Sequence, residues 1–332
     1  MMDGVLNVYK EAGYTSHDVV ASLRKILNMK KIGHTGTLDP DAVGVLPVCL
    51  GNATRLCDLL TDEKKEYIAV MRLGISTDTQ DMSGRILSDN TEALRSLTDK
   101  EIKDTISRFT GEIEQIPPMY SALKVGGKKL YELAREGVEV ERKARKITIE
   151  EIEVLDIPDE ELVSLHNSFD EKTGRINELG LHKVVKMRVV CSKGTYIRTL
   201  CHDIGNALKC GGCMQHLERS KVGRFGVEDA YTLDEIRTLK EEDGLSNIIV
   251  PVDIILDKYP PVHVKNEGMK LLRNGNKLPP ELIGEYDPER SNGGFKPGAV
   301  YRIYGDDGSF YGIFDYHSVR KCFSPVKMFM PE

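Results

Sequence analysis

An apolar run over residues 5–9 has the length and composition of a short strand, and Thr15-Ser16-His17-Asp18 after it has the form of a helix cap. Val19, Val20, Leu23, Ile26 and Leu27 then recur at the three- and four-residue spacing of an amphipathic helix. Residues 67–73 and 183–191 read as strands, and helical periodicity appears over 91–109, 129–137, 196–209 and 232–240. These elements do not alternate in regular βαβ order, so the pattern predicts an α+β fold with a mixed, largely antiparallel sheet flanked by helices. There is no internal repeat.

Two stretches break the pattern. Residues 156–181 are acidic and rich in turn formers, ending in Thr173-Gly174-Arg175, and read as an extended, solvated hairpin or insertion. The second break is Asp257-Lys258-Tyr259-Pro260-Pro261, which divides the chain into residues 1–256 and 257–332. Beyond it, Tyr301-Arg302-Ile303-Tyr304 and Phe310-Tyr311-Gly312-Ile313-Phe314 flank Asp306-Asp307-Gly308, a hairpin signal, so the tail reads as a small β-rich domain.

Composition is that of a soluble globular protein, with 40% hydrophobic and 30% charged residues. No run approaches the roughly 18 apolar residues needed to cross a bilayer. The start, Met1-Met2-Asp3-Gly4-Val5-Leu6-Asn7, lacks the basic and apolar regions of a leader, so a cytoplasmic protein without membrane association is expected. Seven scattered cysteines argue for reduced thiols rather than a disulfide framework. Cys210-Gly211-Gly212-Cys213, with Cys201, His202 and His216 nearby, is a single CxxC and a weak signal for structural zinc, so no metal site is expected.

The net charge of −6 argues against nucleic-acid binding until its distribution is considered. Residues 150–178 hold ten acidic residues against Lys172 and Arg175, a net −8 that leaves the remainder at +2. Residues 124–146, in contrast, group Lys124, Lys128, Lys129, Arg135, Arg142, Lys143, Arg145 and Lys146 near Tyr120 and Tyr131, which suits a phosphate backbone or a solvated helix face. Gly126-Gly127-Lys128-Lys129 lacks the P-loop pattern, so nucleotide hydrolysis has no support.

Candidate chemistry concentrates in Gly33-His34-Thr35-Gly36-Thr37-Leu38-Asp39-Pro40. Two glycines permit backbone conformations closed to other residues, and Pro40 holds Asp39 extended, so the carboxylate sits on a stiff, tight loop. An Asp-Pro step on its own is an ordinary surface turn. Three further segments change that reading: Lys65-Glu66-Tyr67 with 72–84, Ile116-Pro117-Pro118-Met119-Tyr120-Ser121-Ala122-Leu123-Lys124, and Gly194-Thr195-Tyr196-Ile197-Arg198-Thr199-Leu200. In this order the four resemble the bacterial TruB family, tRNA pseudouridine synthases of the T-loop uridine at position 55, over nearly the whole chain.

The resemblance implies an isomerase of pseudouridine synthase fold that breaks the N1–C1′ bond, turns the base and rejoins it through C5, with no metal or organic cofactor. It implies that Asp39 is the essential aspartate, that Arg198 is its charge partner, and that Tyr67 stacks on the target base and offers its hydroxyl to the C5 proton step. Asp81 would link to the arginine, and His34 would fill space left by flipped nucleotides. Leu217 and Tyr196 would line the pocket. Residues 118–148 match a thumb-like RNA-gripping segment with Lys124, Lys128 and Lys129 as phosphate contacts, and 257–332 lie where the family carries an RNA-binding PUA domain. The implied partner is the tRNA T-arm, without an obligate protein partner. The acidic stretch, about 150–181, is longer and more negative than the family pattern. A guide-RNA-dependent synthase, a tRNA-binding or folding protein with secondary catalysis, and a glycosidase, which needs a second acid, are the competing readings.

Overall fold

The computed structural model describes residues 2–173, 183–284 and 294–330. Its centre is a ten-stranded mixed sheet. Strand β1 (Gly4–Lys10) pairs antiparallel with β3 (Val43–Leu50), and β2 (Ile32–His34) pairs along the end of β3. Across the sheet follow Gly212–Val222, then β4 (Lys65–Leu73), Val184–Cys191, Arg145–Leu155 and Gly111–Gln115. The junction of β3 with Gly212–Val222 is parallel, and the other junctions are antiparallel, as the unordered mixture of strands and helices predicted.

Burial follows position in the sheet. All but the first residue of β3 is buried, as a central strand requires, whereas Val184–Cys191 alternates because only one of its faces meets the core. Helix α1 (Ser16–Ile26) starts at the expected cap: Thr15 and Asp18 satisfy each other's backbone N–H groups in a capping box. Its buried Val19, Val20 and Leu23 pack with Leu6, Val8 and Leu46 of the sheet. A separate core joins Tyr67, Leu38 and Leu217 to the helix Ile197–Ala207 through Ile197, Leu200 and Ile204.

The acidic stretch differs from its expected form. Residues 145–155 are one long sheet strand, and Asp159–Thr173 is a helix rather than a hairpin; residues 174–181 of the predicted insertion lie outside the described residues. Asp159, Glu160 and Glu161 occupy the first helical turn after Pro158, where negative charge complements the helix dipole. The acids that suggested a solvated loop thus stabilise a helix start. Arg188 is bound by Glu66, Glu151 and Glu153, and Lys186 pairs with Glu161 at 2.7 Å. Because Arg188 precedes Val189, the cross-strand partner of Tyr67, this acidic cluster lies on the sheet face opposite Tyr67.

The tail forms a four-stranded sheet, Pro261–His263, Val300–Tyr304, Phe310–His317 and Cys322–Met328. Its hairpin turn has Gly308 at φ 76°, with the Asp307 side chain accepting from Ser309 N at 2.9 Å. Ile313 and Phe329 enter a core with Val5, Val45, Leu56 and Phe225, so this sheet is packed against the larger one. Among the described residues no helix is long and apolar enough to cross a membrane.

Candidate active site

The Asp39 loop is pinned from several directions. Lys10, fully buried at the end of β1, donates to the carbonyls of Pro40 at 3.0 Å and Tyr14 at 2.6 Å. Leu38 N donates to Ser16 Oγ at 3.0 Å, and Thr35 Oγ1 to Pro47 O at 3.2 Å. Neither Gly33 nor Gly36 adopts a left-handed φ, contrary to the expected reason for them. At Gly33 the reason is close approach, since a side chain there would meet Cys57 Sγ at 3.2 Å, whereas at Gly36 a Cβ would make only ordinary contact with Arg219 Nη1 at 3.6 Å. The conformationally demanding position is Gly44, at φ 103°.

Arg198, at the start of its helix and 5% exposed, organises the cluster. Nε meets Asp39 Oδ2 at 2.9 Å and Nη2 meets Oδ1 at 3.2 Å, a bidentate grip. Nη1 reaches Asp81 Oδ2 at 3.2 Å and Thr79 O at 3.1 Å, and Nη2 also donates to Tyr120 O at 2.8 Å. One guanidinium therefore ties three separate loops together. Burial pushes the Asp39 carboxyl above its ordinary range, with Arg198 pulling it back and Asp81 adding to the rise. Asp81 is fixed on its other oxygen, which accepts from Thr79 Oγ1 at 2.7 Å and Ser83 N at 2.9 Å.

Tyr67 and Leu217 are buried on adjacent strands in the core that also holds Leu38. Burial raises the Tyr67 phenol, and the charge of Arg219 opposes the rise. Gln115, 2% exposed, brackets the Tyr196 backbone: its Nε2 donates to Tyr196 O at 3.0 Å and its Oε1 accepts from Tyr196 N at 2.8 Å. His34 bonds Gly36 O through Nδ1 at 3.1 Å and lies edge-on to His17; burial lowers its pKa, which favours the neutral ring.

Among the described residues, the lysines form no bond to this cluster. Lys124 and Lys128 belong to a short hairpin turned by Gly126 and Gly127, Lys128 pairs with exposed Glu136 at 3.1 Å, and Lys129 donates to Tyr131 Oη at 3.2 Å. Cys210 and Cys213 are buried, and Cys213 Sγ faces Met82 Sδ at 3.7 Å; among the described residues no group of His, Cys, Asp or Glu is arranged to hold a metal ion.

Sequence reasoning missed Lys10, Gln115 and Arg219. Of these, Arg219 carried a readable signal: it lies two residues from Leu217, the face-sharing spacing of a strand, and is therefore directed toward the core.

The fold is that of the pseudouridylate synthases. The model of the TruB family pseudouridylate synthase N-terminal domain matches residues 24–197, and that of the tRNA pseudouridylate synthase B C-terminal domain matches 198–257. The chain belongs to the TruB family. It is 47% identical to tRNA pseudouridine synthase B of Lachnoclostridium phytofermentans, over 99% of this chain and 100% of the relative, and 42% identical to that of Clostridium kluyveri, over 94% and 95%. Among solved structures it resembles a chain of a Cbf5-Nop10-Gar1 complex, with TM-score 0.66 and 29% identity over 99% of this chain and 85% of that one. A chain of an H/ACA RNP bound to a substrate RNA containing 2′-deoxyuridine matches with the same TM-score and coverage at 27% identity.

Proposed function

We propose that this chain converts the T-loop uridine at position 55 of tRNA to pseudouridine as a stand-alone enzyme. The observation that carries the reading is the bidentate Arg198–Asp39 pair set beside Tyr67 and Leu217. The higher identity to bacterial tRNA enzymes than to the Cbf5 chain favours tRNA over guide-RNA-dependent action.

The chemistry follows from the placement of these groups. Asp39 presents its carboxylate to the sugar or base of an everted uridine, and Arg198 keeps that carboxylate ionised and aimed. Tyr67 stacks on the uracil, an interaction worth roughly 1–3 kcal/mol, and with Leu217 retains the detached base while it turns. His34 occupies space vacated by the flipped nucleotides, and Tyr196 walls the pocket. Asp81 serves as the second anchor of Arg198. A glycosidase reading is disfavoured because Asp81, the neighbouring acid, is engaged by Arg198, Thr79 and Ser83.

Outside the pocket, residues 118–148 grip the RNA through Lys124, Lys128 and Lys129. Residues 1–256 form the catalytic domain and 257–332 a PUA-like RNA-binding domain. The test is pseudouridine formation on a T-arm RNA: the protein is expected to form it, and Asp39→Asn is expected to bind the RNA without turnover. Substantial turnover by Asp39→Asn would overturn the role of Asp39.

A further inference from the structure

Arg219 lies in the strand Gly212–Val222 directly opposite Tyr67 and is 1% exposed. A buried cation ordinarily has a carboxylate against it, because leaving it unpaired is costly. No ion pair is formed by Arg219 among the described residues. Its Nε donates to Val45 O at 2.7 Å, and Nη2 has no hydrogen-bond partner although it is inaccessible to solvent. Nη1 lies beneath Gly36 of the Asp39 loop, and the charge of the guanidinium acts on the Tyr67 phenol against the rise that burial imposes.

The surroundings hold this cation in place. Gly44 lets β3 approach so closely that an added Cβ would lie 2.3 Å from Arg219 O. Val45 then offers its carbonyl to Nε, which fixes the plane of the fork. The positive charge is felt by Lys10, His34 and Lys65, all of which it pushes toward their neutral forms. A structural role alone would be met by an apolar side chain of similar size without that penalty.

We propose that Arg219 is a positioning residue for Tyr67, holding the phenol oxygen toward the target base and keeping a positive charge against it during removal of the C5 proton. The inference rests on the reading of the site as a pseudouridine-forming pocket. In that step the C5–H bond breaks and the proton passes to the Tyr67 oxygen in the ionised fraction that Arg219 favours, the phenol having first given its own proton to solvent. The bonding pair forms the C5–C6 double bond, and the pair of the C6–N1 double bond moves to N1, which takes up a proton from water. The charge of Arg219 favours the phenolate that this transfer requires, and its place directly across the strand pair from Tyr67 sets where that charge acts.

The experiment is a 19F NMR titration of the full chain labelled with 3-fluorotyrosine, with Tyr67→Phe assigning the resonance. In Arg219→Gln the Tyr67 signal is expected to titrate about one pH unit or more above wild type, with Arg219→Lys between the two. An unchanged midpoint in both variants overturns the proposal. Single-turnover rates on T-arm RNA add a double-mutant cycle: Arg219→Gln is expected to slow the reaction by on the order of 10- to 100-fold, with KM within about 3-fold. In a Tyr67→Phe background the same change is expected to alter the rate by less than about 3-fold. Equal losses in both backgrounds overturn the proposal, whereas a wild-type protein forming no pseudouridine defeats the functional reading and leaves the titration to decide the Arg219–Tyr67 link.

Discussion

Arg198 grips Asp39 through two bonds, at 2.9 and 3.2 Å, although 159 residues separate them in the chain. The same guanidinium bonds Asp81 and the carbonyls of Thr79 and Tyr120, so every face of the fork is used. Arg198→Lys keeps the charge but replaces a planar fork by a point donor. The expected result is a fall of about 100-fold in the rate of pseudouridine formation, with T-arm RNA affinity within about 3-fold of wild type. Parallel losses in rate and affinity would contradict a role confined to the chemistry.

Asp39 carries a second consequence, through pH. Burial raises its carboxyl above the ordinary range, and Arg198 restrains that rise. If the ionised form is the active one, kcat/KM falls as pH drops through this raised value. Replacing Arg198 by Gln removes the restraint, so the acid limb of the rate profile is expected to move to higher pH. A limb that stays in place or moves lower would show that another group controls it.

Two buried lysines set an alkaline dependence of stability. Lys10 and Lys65 are both lowered to about 8, with burial the main cause. Between that value and the ordinary lysine pKa near about 10.4, the unfolded chain binds more protons at these positions than the folded one, so their contribution to stability rises with pH. Urea midpoints measured across this window are expected to show wild type gaining relative to Lys10→Met. A constant difference would contradict the lowered value for Lys10.

Gly44 is a position where the sheet tolerates no side chain. Its φ is 103°, and a Cβ there would lie 2.3 Å from Arg219 O. Gly44→Ala combines an unfavourable backbone conformation with a main-chain clash, and is expected to cost about 2 kcal/mol or more in urea unfolding. A loss under about 0.5 kcal/mol would mean that the two strands separate easily at this point.

The hairpin lysines bear on RNA affinity rather than rate. Lys124, Lys128 and Lys129 sit on the hairpin turned by Gly126 and Gly127 and, among the described residues, form no bond to Arg198 or Asp39. Replacing all three by alanine is expected to reduce the slope of log K against log salt by about 2, with single-turnover rate at saturating RNA unchanged. An unchanged slope would remove them from the phosphate-contacting set.

Local chemistry accounts for what was readable in advance. The Thr15 cap, the strands around Tyr67 and Val189 and the tail hairpin all lie within short windows, where periodicity, capping and turn preferences act, whereas Asp39, Asp81 and Arg198 were singled out by the resemblance to the family. The acidic helix from Asp159 was misread because charge at a helix start and charge in a solvated loop have the same composition, and only the packing partner distinguishes them.

By itself, then, the sequence determined the α+β class, the order of its main elements and which aspartate, tyrosine and arginine belong to the family pattern. Tertiary structure alone decided that Lys10 clamps Pro40, that Gln115 brackets Tyr196, and that Arg219 stands opposite Tyr67 with its Nε on Val45 O, 174 residues away. The reason is physical: side-chain period is a property of one strand, whereas register and the close approach allowed by Gly44 are properties of two strands brought together only on folding.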